Sequence, residues 1–112
     1  MSKMCSSQEV LEIVGAGKDV FVLFYADWCP FSRAFLPVFE KHTKGRDKEF
    51  VRIVLDGNEE LFDSQEIEVY PTVLFFQGGR LHRRLDGTHF LGLKEKQLTA
   101  FISSCEKDRA RS

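Results

Sequence analysis

The sequence has few cysteines, no long apolar run and almost no net charge. Its three cysteines, Cys5, Cys29 and Cys105, form an odd and widely spaced set, which excludes a disulfide framework and predicts reduced thiols in a reducing compartment. No apolar run approaches the roughly 20 residues that span a bilayer, and residues 1–17 lack the apolar centre of a signal peptide. We therefore expect a cytoplasmic protein that does not enter a membrane.

The balance of charge excludes two classes of partner. Lys and Arg number 16, Asp and Glu number 17, and the formal net charge is −1, so the chain lacks the field that binds nucleic acid or an anionic membrane surface. The histidines His42, His82 and His89 are dispersed without the spacing of metal ligands. We expect no metal site and no resident cofactor.

Apolar residues, by contrast, are plentiful. They make up 43% of the 112 residues and include 11 Phe, which is enough for one hydrophobic core in a chain too short for two independent ones. We therefore expect residues 1–112 to form a single domain. Cys5 is expected in a flexible terminus and Cys105 on one face of an amphipathic helix, and neither is given a chemical role.

The first half of the chain predicts a helix, a strand and a second helix. Ser6 and Glu9 have the spacing of a capping box at the start of a short helix. Residues 19–26, DVFVLFYA, are an apolar run typical of a strand buried on both faces at the centre of a sheet. From residue 29 to residue 43, large apolar residues recur every three or four positions, which predicts an amphipathic helix with Pro37 inside it.

The second half predicts a strand, a short helix, a hairpin and a last helix. Residues 50–56 alternate as a strand does, and residues 57–69 fit a short helix and a loop. Residues 72–77 and 80–87 flank a Gly-Gly turn, which predicts an antiparallel hairpin. The apolar face of the last helix is expected to contain Leu93, Gln97, Leu98, Phe101, Ile102 and Cys105. This order predicts an α/β fold with a mixed sheet and helices on both faces.

The stretch YADWCPFSRAF, at residues 25–35, places Cys29 where the buried strand gives way to the second helix. Backbone N–H groups at a helix N-terminus stabilise a negative charge by about 0.3–2 kcal/mol, so a nucleophilic thiolate is favoured there. Ser32 can donate its hydroxyl hydrogen to that thiolate, but its oxygen cannot form a disulfide. Attack on a substrate disulfide therefore leaves a mixed disulfide that an outside thiol, such as glutathione or a substrate cysteine, must cleave.

Four segments, taken in order, resemble the thioredoxin superfamily. FYADWCPFS, at residues 24–32, resembles the Trp-Cys-x-x-Cys motif of thioredoxins and protein disulfide isomerases, and VYPTVLFFQGGR, at residues 69–80, resembles the segment that holds the family's cis-proline. Pro37 follows the motif cysteine by eight residues, as the family's helix-kinking proline does, and RLDG before a helix matches the family's C-terminal end. The resemblance covers most of the chain and implies a thioredoxin fold.

The resemblance also implies a groove for a substrate peptide. It implies that the Tyr70–Pro71 peptide bond is cis and that Pro71 faces Cys29. In this family the residue before the cis-proline, here Tyr70, offers its backbone to an extended peptide, and the motif tryptophan, here Trp28, shields the reactive sulfur. Phe31 is expected to be exposed beside Cys29. The expected substrate-binding residues are Trp28, Pro30, Phe31, Tyr70 and Pro71.

Two departures from the family pattern concern the missing second thiol. Ser32 replaces the second motif cysteine, and Leu23 occupies the strand position where thioredoxins bury an acidic residue thought to serve that cysteine. Both departures fit a chain that uses one thiol. Arg52 falls near the position of the family's basic partner for that acid, and with Leu23 opposite it is expected to point to solvent.

These features predict a thiol-disulfide oxidoreductase that acts through one cysteine. Cys29 and Ser32 are the expected catalytic residues, the partners are protein disulfides or thiols, and glutathione is a candidate co-substrate. Three alternatives stay open. They are a non-catalytic module that binds client proteins, a glutathione-dependent iron–sulfur carrier suggested by the likeness of CPFS to the glutaredoxin motif Cys-Gly-Phe-Ser, and a dithiol thioredoxin whose second cysteine has been replaced by serine.

Overall fold

Strands and helices alternate along most of the chain. The structure is a computed structural model that describes residues 2–44 and 49–111. In chain order the elements are β1 (Lys3–Met4), α1 (Ser7–Gly15), β2 (Val20–Tyr25), α2 (Pro30–Lys41), β3 (Glu49–Val54), α3 (Glu59–Ser64), β4 (Thr72–Gln77), β5 (Arg80–Asp86) and α4 (Glu95–Arg111). None of the helices in these described ranges combines the length and the apolar character needed to cross a bilayer.

One mixed sheet holds these strands in the order β1-β3-β2-β4-β5. β2 runs parallel to β3 and antiparallel to β4, and all its residues are buried, so the predicted central strand is confirmed. β4 and β5 form the predicted antiparallel hairpin, with a shift in register between Phe75 and Phe76. The central strand ends at Tyr25 and leads directly into the turn that contains Cys29.

The alternation of side chains along β2 divides the core into two layers, because successive strand residues point to opposite faces. One layer packs β2 against α2 and α4, and the other packs it against α1 and α3. The first layer receives Phe21, Leu23 and Tyr25 from β2, and the second receives Val20, Val22 and Phe24. The sheet with helices on both faces is therefore confirmed.

The first two helices begin as the sequence predicts. Ser6 is the N-cap of α1: its hydroxyl oxygen accepts the Glu9 N–H at 3.2 Å, and the Glu9 carboxylate accepts the Ser6 N–H at 3.0 Å. The predicted capping box is therefore confirmed. α2 begins with Pro30 at its first position, where the absence of an N–H costs nothing, and Pro37 lies inside the helix.

The residues before α1 are part of the sheet and the core. Lys3 and Met4 pair with β3, and a strand of this length is too short for any periodic pattern to reveal. The expectation that Cys5 lies in a flexible terminus is wrong, because Cys5 is 3% exposed and its N–H donates to the Arg52 carbonyl at 2.8 Å. Burial raises the pKa of the Cys5 thiol.

Arg52 and Gln97 also differ from expectation. Arg52 does not point to solvent, since its guanidinium donates to the Ser2 carbonyl at 2.6 Å and lies 3.6 Å from the Glu40 carboxylate. Its acidic partner is thus Glu40 of α2 and not a residue of the neighbouring strand. Gln97 is exposed and does not belong to the buried face of α4: its side-chain oxygen accepts the Lys94 N–H at 2.8 Å, which satisfies an amide just before the helix.

Candidate functional site

Cys29 lies where the turn after β2 becomes α2. It is the N-cap residue of α2, with φ −87° and ψ 122°. Its N–H donates to the Ala26 carbonyl at 3.1 Å, and its own carbonyl accepts the Arg33 N–H at 3.0 Å. The sulfur therefore belongs to a helix N-terminus, where unpaired amides and the helix dipole favour a negative charge. The residue is 7% exposed, and its thiol is not part of a disulfide.

Ser32 is held by the turn and not by the Cys29 sulfur. Its Oγ accepts the Ala26 N–H at 3.2 Å, and the residue is almost completely buried. Among the described residues, no hydrogen bond joins Ser32 Oγ to Cys29 Sγ. The buried Ala26 amide needs a partner, and Ser32 meets that need as an acceptor, which leaves its hydroxyl hydrogen available.

The segment before β4 faces the sulfur of Cys29. The Tyr70–Pro71 peptide bond is cis in the structure. Cys29 Sγ lies 4.0 Å from the Tyr70 carbonyl oxygen, at the outer limit for a hydrogen bond donated by a thiol. Pro71 is buried, whereas Tyr70 is half-buried. Backbone from a distant part of the sequence is therefore brought beside the motif cysteine.

A glycine after β5 fixes the position of this segment. A Cβ added to Gly87 would lie 2.5 Å from the Pro71 carbonyl oxygen, so glycine alone allows the two backbones to approach so closely. Thr72 Oγ1 accepts the Gly87 N–H at 3.4 Å and donates to the Val69 carbonyl at 2.7 Å. Gly87 is a positioning residue that sequence reasoning missed. The RLDG motif contains it, but the close approach depends on the fold.

Trp28 is exposed and packs on Tyr70. The two rings meet edge to face, with centroids 5.9 Å apart and planes at 83°. Tyr70 in turn packs against Phe62, a buried core residue, at 6.1 Å. This aromatic row connects the indole next to Cys29 with the core. Burial raises the pKa of the Tyr70 hydroxyl, and neighbouring Asp63 and Cys29 act in the same direction.

Pro30 and Phe31 form the exposed side of the first turn of α2. Phe31 is 37% exposed. Its Cβ lies so close to the Gly92 backbone that a Cβ added to Gly92 would come within 2.8 Å of it. The connection between β5 and α4 is thus packed against the motif. No local pattern predicts this contact, because the two segments are far apart along the chain.

The other two cysteines lie in different layers of the core. Cys5 is buried in the layer with α1 and α3, and Cys105 in the layer with α2 and α4. Neither is joined to Cys29 by a disulfide. Leu23, at the position of the family's acid, is completely buried among apolar residues. Within the ranges that the structure describes, no group of three or more His, Cys, Asp or Glu side chains is arranged to hold a metal ion.

The sequence is similar to a known family and to known proteins. The family model described as Thioredoxin matches residues 3–104. A thioredoxin of Mycoplasmoides gallisepticum is 33% identical over 82 residues, which cover 72% of this chain and 82% of that protein. The endoplasmic reticulum resident protein 44.2 of Caenorhabditis elegans is 34% identical over 76 residues, which cover 62% of this chain and 18% of the worm protein. The chain thus spans less than a fifth of that longer relative.

Solved structures share the observed architecture. A thioredoxin of Plasmodium falciparum superposes with a TM-score of 0.81 at 25% identity, over 91% of this chain and 97% of that one. A chain from the complex of ferredoxin: thioredoxin reductase with thioredoxin f2 superposes with a TM-score of 0.82 at 22% identity, over 94% of both chains. The second similarity concerns the fold alone.

Proposed function

This chain belongs to the thioredoxin family, and from that premise we propose that it exchanges thiols and disulfides through a single sulfur, that of Cys29. The position of this sulfur supports the proposal. It lies at the N-cap of α2, 4.0 Å from the Tyr70 carbonyl oxygen. Three residues later stands a serine, so the protein has no second thiol at this position that could release a bound substrate. A helix N-terminus favours the thiolate, which is the form that attacks a disulfide.

The exchange consists of two substitutions at sulfur. The Cys29 thiolate attacks one sulfur of a protein disulfide, a bond forms between these two sulfurs, and the other substrate sulfur leaves as a thiolate. An outside thiolate, from glutathione or from another substrate cysteine, then attacks the substrate sulfur of the mixed disulfide and releases Cys29 as a thiolate. Ser32 cannot perform the second substitution, because it has no sulfur. No electrons are lost. When the outside thiol is glutathione, one substrate sulfur is now a thiolate and the other is joined to glutathione, and a second glutathione thiolate displaces it to give glutathione disulfide. When the attacking thiol is another substrate cysteine, the disulfide has moved within the substrate.

We assign Ser32 the role of stabilising the Cys29 thiolate. Its bond to the Ala26 amide fixes the side chain in the turn, and its hydroxyl hydrogen is available to the sulfur when Cys29 is ionised. A hydrogen bond to a charged acceptor contributes about 1.5–3 kcal/mol. Ser32 thus favours the reactive form without competing for the substrate.

We assign substrate contact to the residues around the sulfur. The Tyr70 backbone precedes a proline, which has no N–H, so the neighbouring backbone is available to an extended guest peptide. Trp28 is anchored on the Tyr70 ring, and an anchored indole can contact substrate with little loss of conformational freedom. The proposed contact residues are Trp28, Pro30, Phe31, Tyr70 and Pro71.

Reduction of a protein disulfide with glutathione as the electron donor tests the proposal. We expect the wild type to accelerate the reaction and Cys29→Ser not to do so. Cys105→Ala is the matched control, because it removes another buried thiol and should keep the activity. Without glutathione, mass spectrometry should detect a substrate adduct on Cys29. Equal rates for the wild type and Cys29→Ser would refute the proposal.

Retention of client proteins is a second candidate function, and the burial of the sulfur favours it. Cys29 is 7% exposed, so a mixed disulfide at this position is shielded from small thiols and should be cleaved slowly. Cys29 would then capture clients without turnover. Retention predicts that clients stay attached to the wild type in denaturant and are released by reductant. It also predicts that no clients attach to Cys29→Ser and that no reductase rate is measurable.

Partners and compartment are part of the same proposal. The thioredoxin family acts on protein thiols and disulfides, and we propose glutathione as the thiol that cleaves the mixed disulfide. None of the cysteines is in a disulfide within the described residues. This state suits a reducing compartment and supports the proposal of a cytoplasmic location. The name of the worm relative refers to the endoplasmic reticulum. The same sulfur would carry the exchange in either place.

A further inference from the structure

The connection between β5 and α4 presents the two most exposed large apolar side chains of the described residues. We call Thr88–Gly92 the apolar turn. Phe90 is 87% exposed and Leu91 is 60% exposed. Adjacent apolar side chains that stay in water lose the free energy of burial, and clusters of them mark interaction sites more often than single exposed residues do.

The apolar turn is closed by its own backbone. The Thr88 N–H donates to the Gly92 carbonyl at 3.0 Å, and the Gly92 N–H donates to the Thr88 carbonyl at 2.8 Å. The Leu91 N–H donates to the same Thr88 carbonyl at 3.0 Å. Phe90 has a φ of +65°, a conformation that bulky residues rarely adopt. The turn thus holds its apolar side chains outward by its own hydrogen bonds.

The apolar turn packs on the motif that contains Cys29. A Cβ added to Gly92 would lie 2.8 Å from Phe31 Cβ and 3.2 Å from Phe31 Cδ1, so the Gly92 backbone rests on the Phe31 side chain. Phe31 follows Cys29 by two residues in the first turn of α2. This contact fixes Phe90 and Leu91 relative to the reactive sulfur.

The exposure of the turn indicates what kind of partner it fits. At 87% exposure, Phe90 projects from the surface, whereas small-molecule sites are concave. The partner must therefore bring its own apolar side chain to the turn. A polypeptide whose cysteine reacts with Cys29 can do so, because an extended chain advances about 3.3 Å per residue away from that cysteine. Glutathione cannot, because it has no apolar side chain.

We propose that the apolar turn determines substrate specificity by binding an aliphatic or aromatic side chain close in sequence to the substrate cysteine. Extended apolar segments, as in incompletely folded proteins, are then preferred over polar segments and over glutathione. This specificity rests on the proposed exchange at Cys29. Phe90 and Leu91 contact the substrate, while the Cys29 thiolate attacks its sulfur, forms the new S–S bond and displaces the partner sulfur as a thiolate.

Two short cysteine peptides of equal net charge test the proposal. Leucines flank the cysteine in one peptide and serines flank it in the other, and each cysteine is joined by a disulfide to 2-nitro-5-thiobenzoate. Attack of Cys29 on the peptide sulfur releases the coloured thiobenzoate, whose rate of release is measured. We expect the wild type to react about three to ten times faster with the leucine peptide, the ratio that partial burial of one apolar side chain gives.

Substitutions in the turn should lower this ratio. In Phe90→Asn the ratio should fall toward one, and asparagine tolerates a positive φ, so the turn can keep its shape. Leu91→Gln should lower the ratio as well. Leu11→Gln is the matched control, because Leu11 is 57% exposed on α1, outside the turn, and its ratio should equal that of the wild type.

The outcomes separate this specificity from the exchange function. Equal rates of the wild type with both peptides would overturn the specificity and leave the exchange at Cys29 intact. If Phe90→Asn lowers the reaction rate by the same factor for both peptides, the specificity is overturned too, since the substitution would then act on the structure and not on substrate choice. A dimer in sedimentation that Phe90→Asn abolishes would assign the turn to self-association. If the wild type reacts with neither peptide, the exchange function itself fails.

Discussion

Ser32 is the residue that limits the site to one sulfur. Cys29 is the N-cap of α2 and Ser32 is three residues later, a spacing that places two side chains next to each other on a helix. A disulfide joins Cα atoms about 4.4–6.8 Å apart, so a cysteine at position 32 is within reach of Cys29. We therefore expect Ser32→Cys to form an internal disulfide on oxidation and to stop accumulating the mixed disulfide with substrate.

Thiol titration in denaturant measures the formation of this internal disulfide, because the number of titratable thiols should fall by two when Ser32→Cys is oxidised. Ser103→Cys is the matched control: it adds an exposed thiol on α4 and should still accumulate the mixed disulfide. Reduced Ser32→Cys should be less stable by about 0.5–1.5 kcal/mol, because sulfur is a weaker acceptor for the Ala26 amide. Full retention of titratable thiols after oxidation of Ser32→Cys would contradict the prediction.

The sequence predicted that Cys29 lies between a strand and a helix, as the structure has it, but not every contact around it. Cys29 and Ser32 lie between the apolar run of residues 19–26 and the helical spacing of residues 29–43, and these two patterns indicate a strand-to-helix turn. Arg52 gave no such signal, because its partners Ser2 and Glu40 come from the N-terminal segment and from α2. The partners of a charged side chain depend on which elements the fold brings together, and single-sequence patterns do not contain that information.

At the scale of elements, Gly87 links the end of β5 to the segment that faces Cys29. In Gly87→Ala the new Cβ would lie 2.5 Å from the Pro71 carbonyl oxygen, so one of the two backbones must move. We expect a loss of stability of about 1–3 kcal/mol, the usual cost of overpacking. We also expect slower exchange, because displacement of Pro71 moves the neighbouring Tyr70 carbonyl away from the sulfur.

Urea unfolding and the rate of mixed-disulfide formation measure the two effects. Gly15→Ala is the matched control, since Gly15 ends α1 and a Cβ there meets nothing within 4 Å. Alanine in a helix is favoured over glycine by up to about 1 kcal/mol, so this variant should be at least as stable as the wild type. If Gly87→Ala has wild-type stability and wild-type rate, Gly87 does not position the segment.

Elements with a local pattern of their own were predictable, whereas the two-residue strand β1 was not. The apolar run of β2 and the capping box of α1 each contain their own signal in a few consecutive residues. β1 contains two residues with exposed side chains, and its existence depends on pairing with β3. Gln97 fitted the apolar spacing of α4, but its side chain instead accepts the Lys94 amide at the helix start, a competition that periodicity does not show.

At the scale of the whole molecule, strand register assembles the site. Phe24 of β2 lies opposite Thr72 of β4, which lies opposite Asp86 of β5. The turn after β2, the segment before β4 and the glycine after β5 therefore meet at one edge of the sheet. The hairpin between β4 and β5 was predictable from the Gly-Gly turn. The pairing of β2 with β4 was not, because it joins strands separated by a whole β-α unit.

Protonation of two glutamates near the surface should make the folded state less stable in acid. The Ser6 backbone N–H and then the Lys3 ammonium lower the pKa of Glu9. The Lys41 ammonium is the largest cause of the lowered pKa of Glu95. In the unfolded chain both carboxyls titrate near their ordinary value of 4.5, so the unfolded state binds protons first as the pH falls. The stability from these contacts is complete above that value and is lost as the pH falls through the folded pKa.

Urea unfolding at a series of pH values, from about 7 down to about 3, tests this dependence. The free energy of unfolding of the wild type should decrease at pH values below the ordinary carboxyl pKa. The decrease should be shallower in Glu9→Gln and in Glu95→Gln, because an amide cannot be protonated in this range. Glu12→Gln, at an exposed position of the same helix as Glu9, is the matched control for the removal of one carboxylate from that helix. Added salt should reduce the differences, since exposed charges are screened. If Glu9→Gln and Glu95→Gln both run parallel to the wild type at low salt, these contacts do not set the acid limit of the fold.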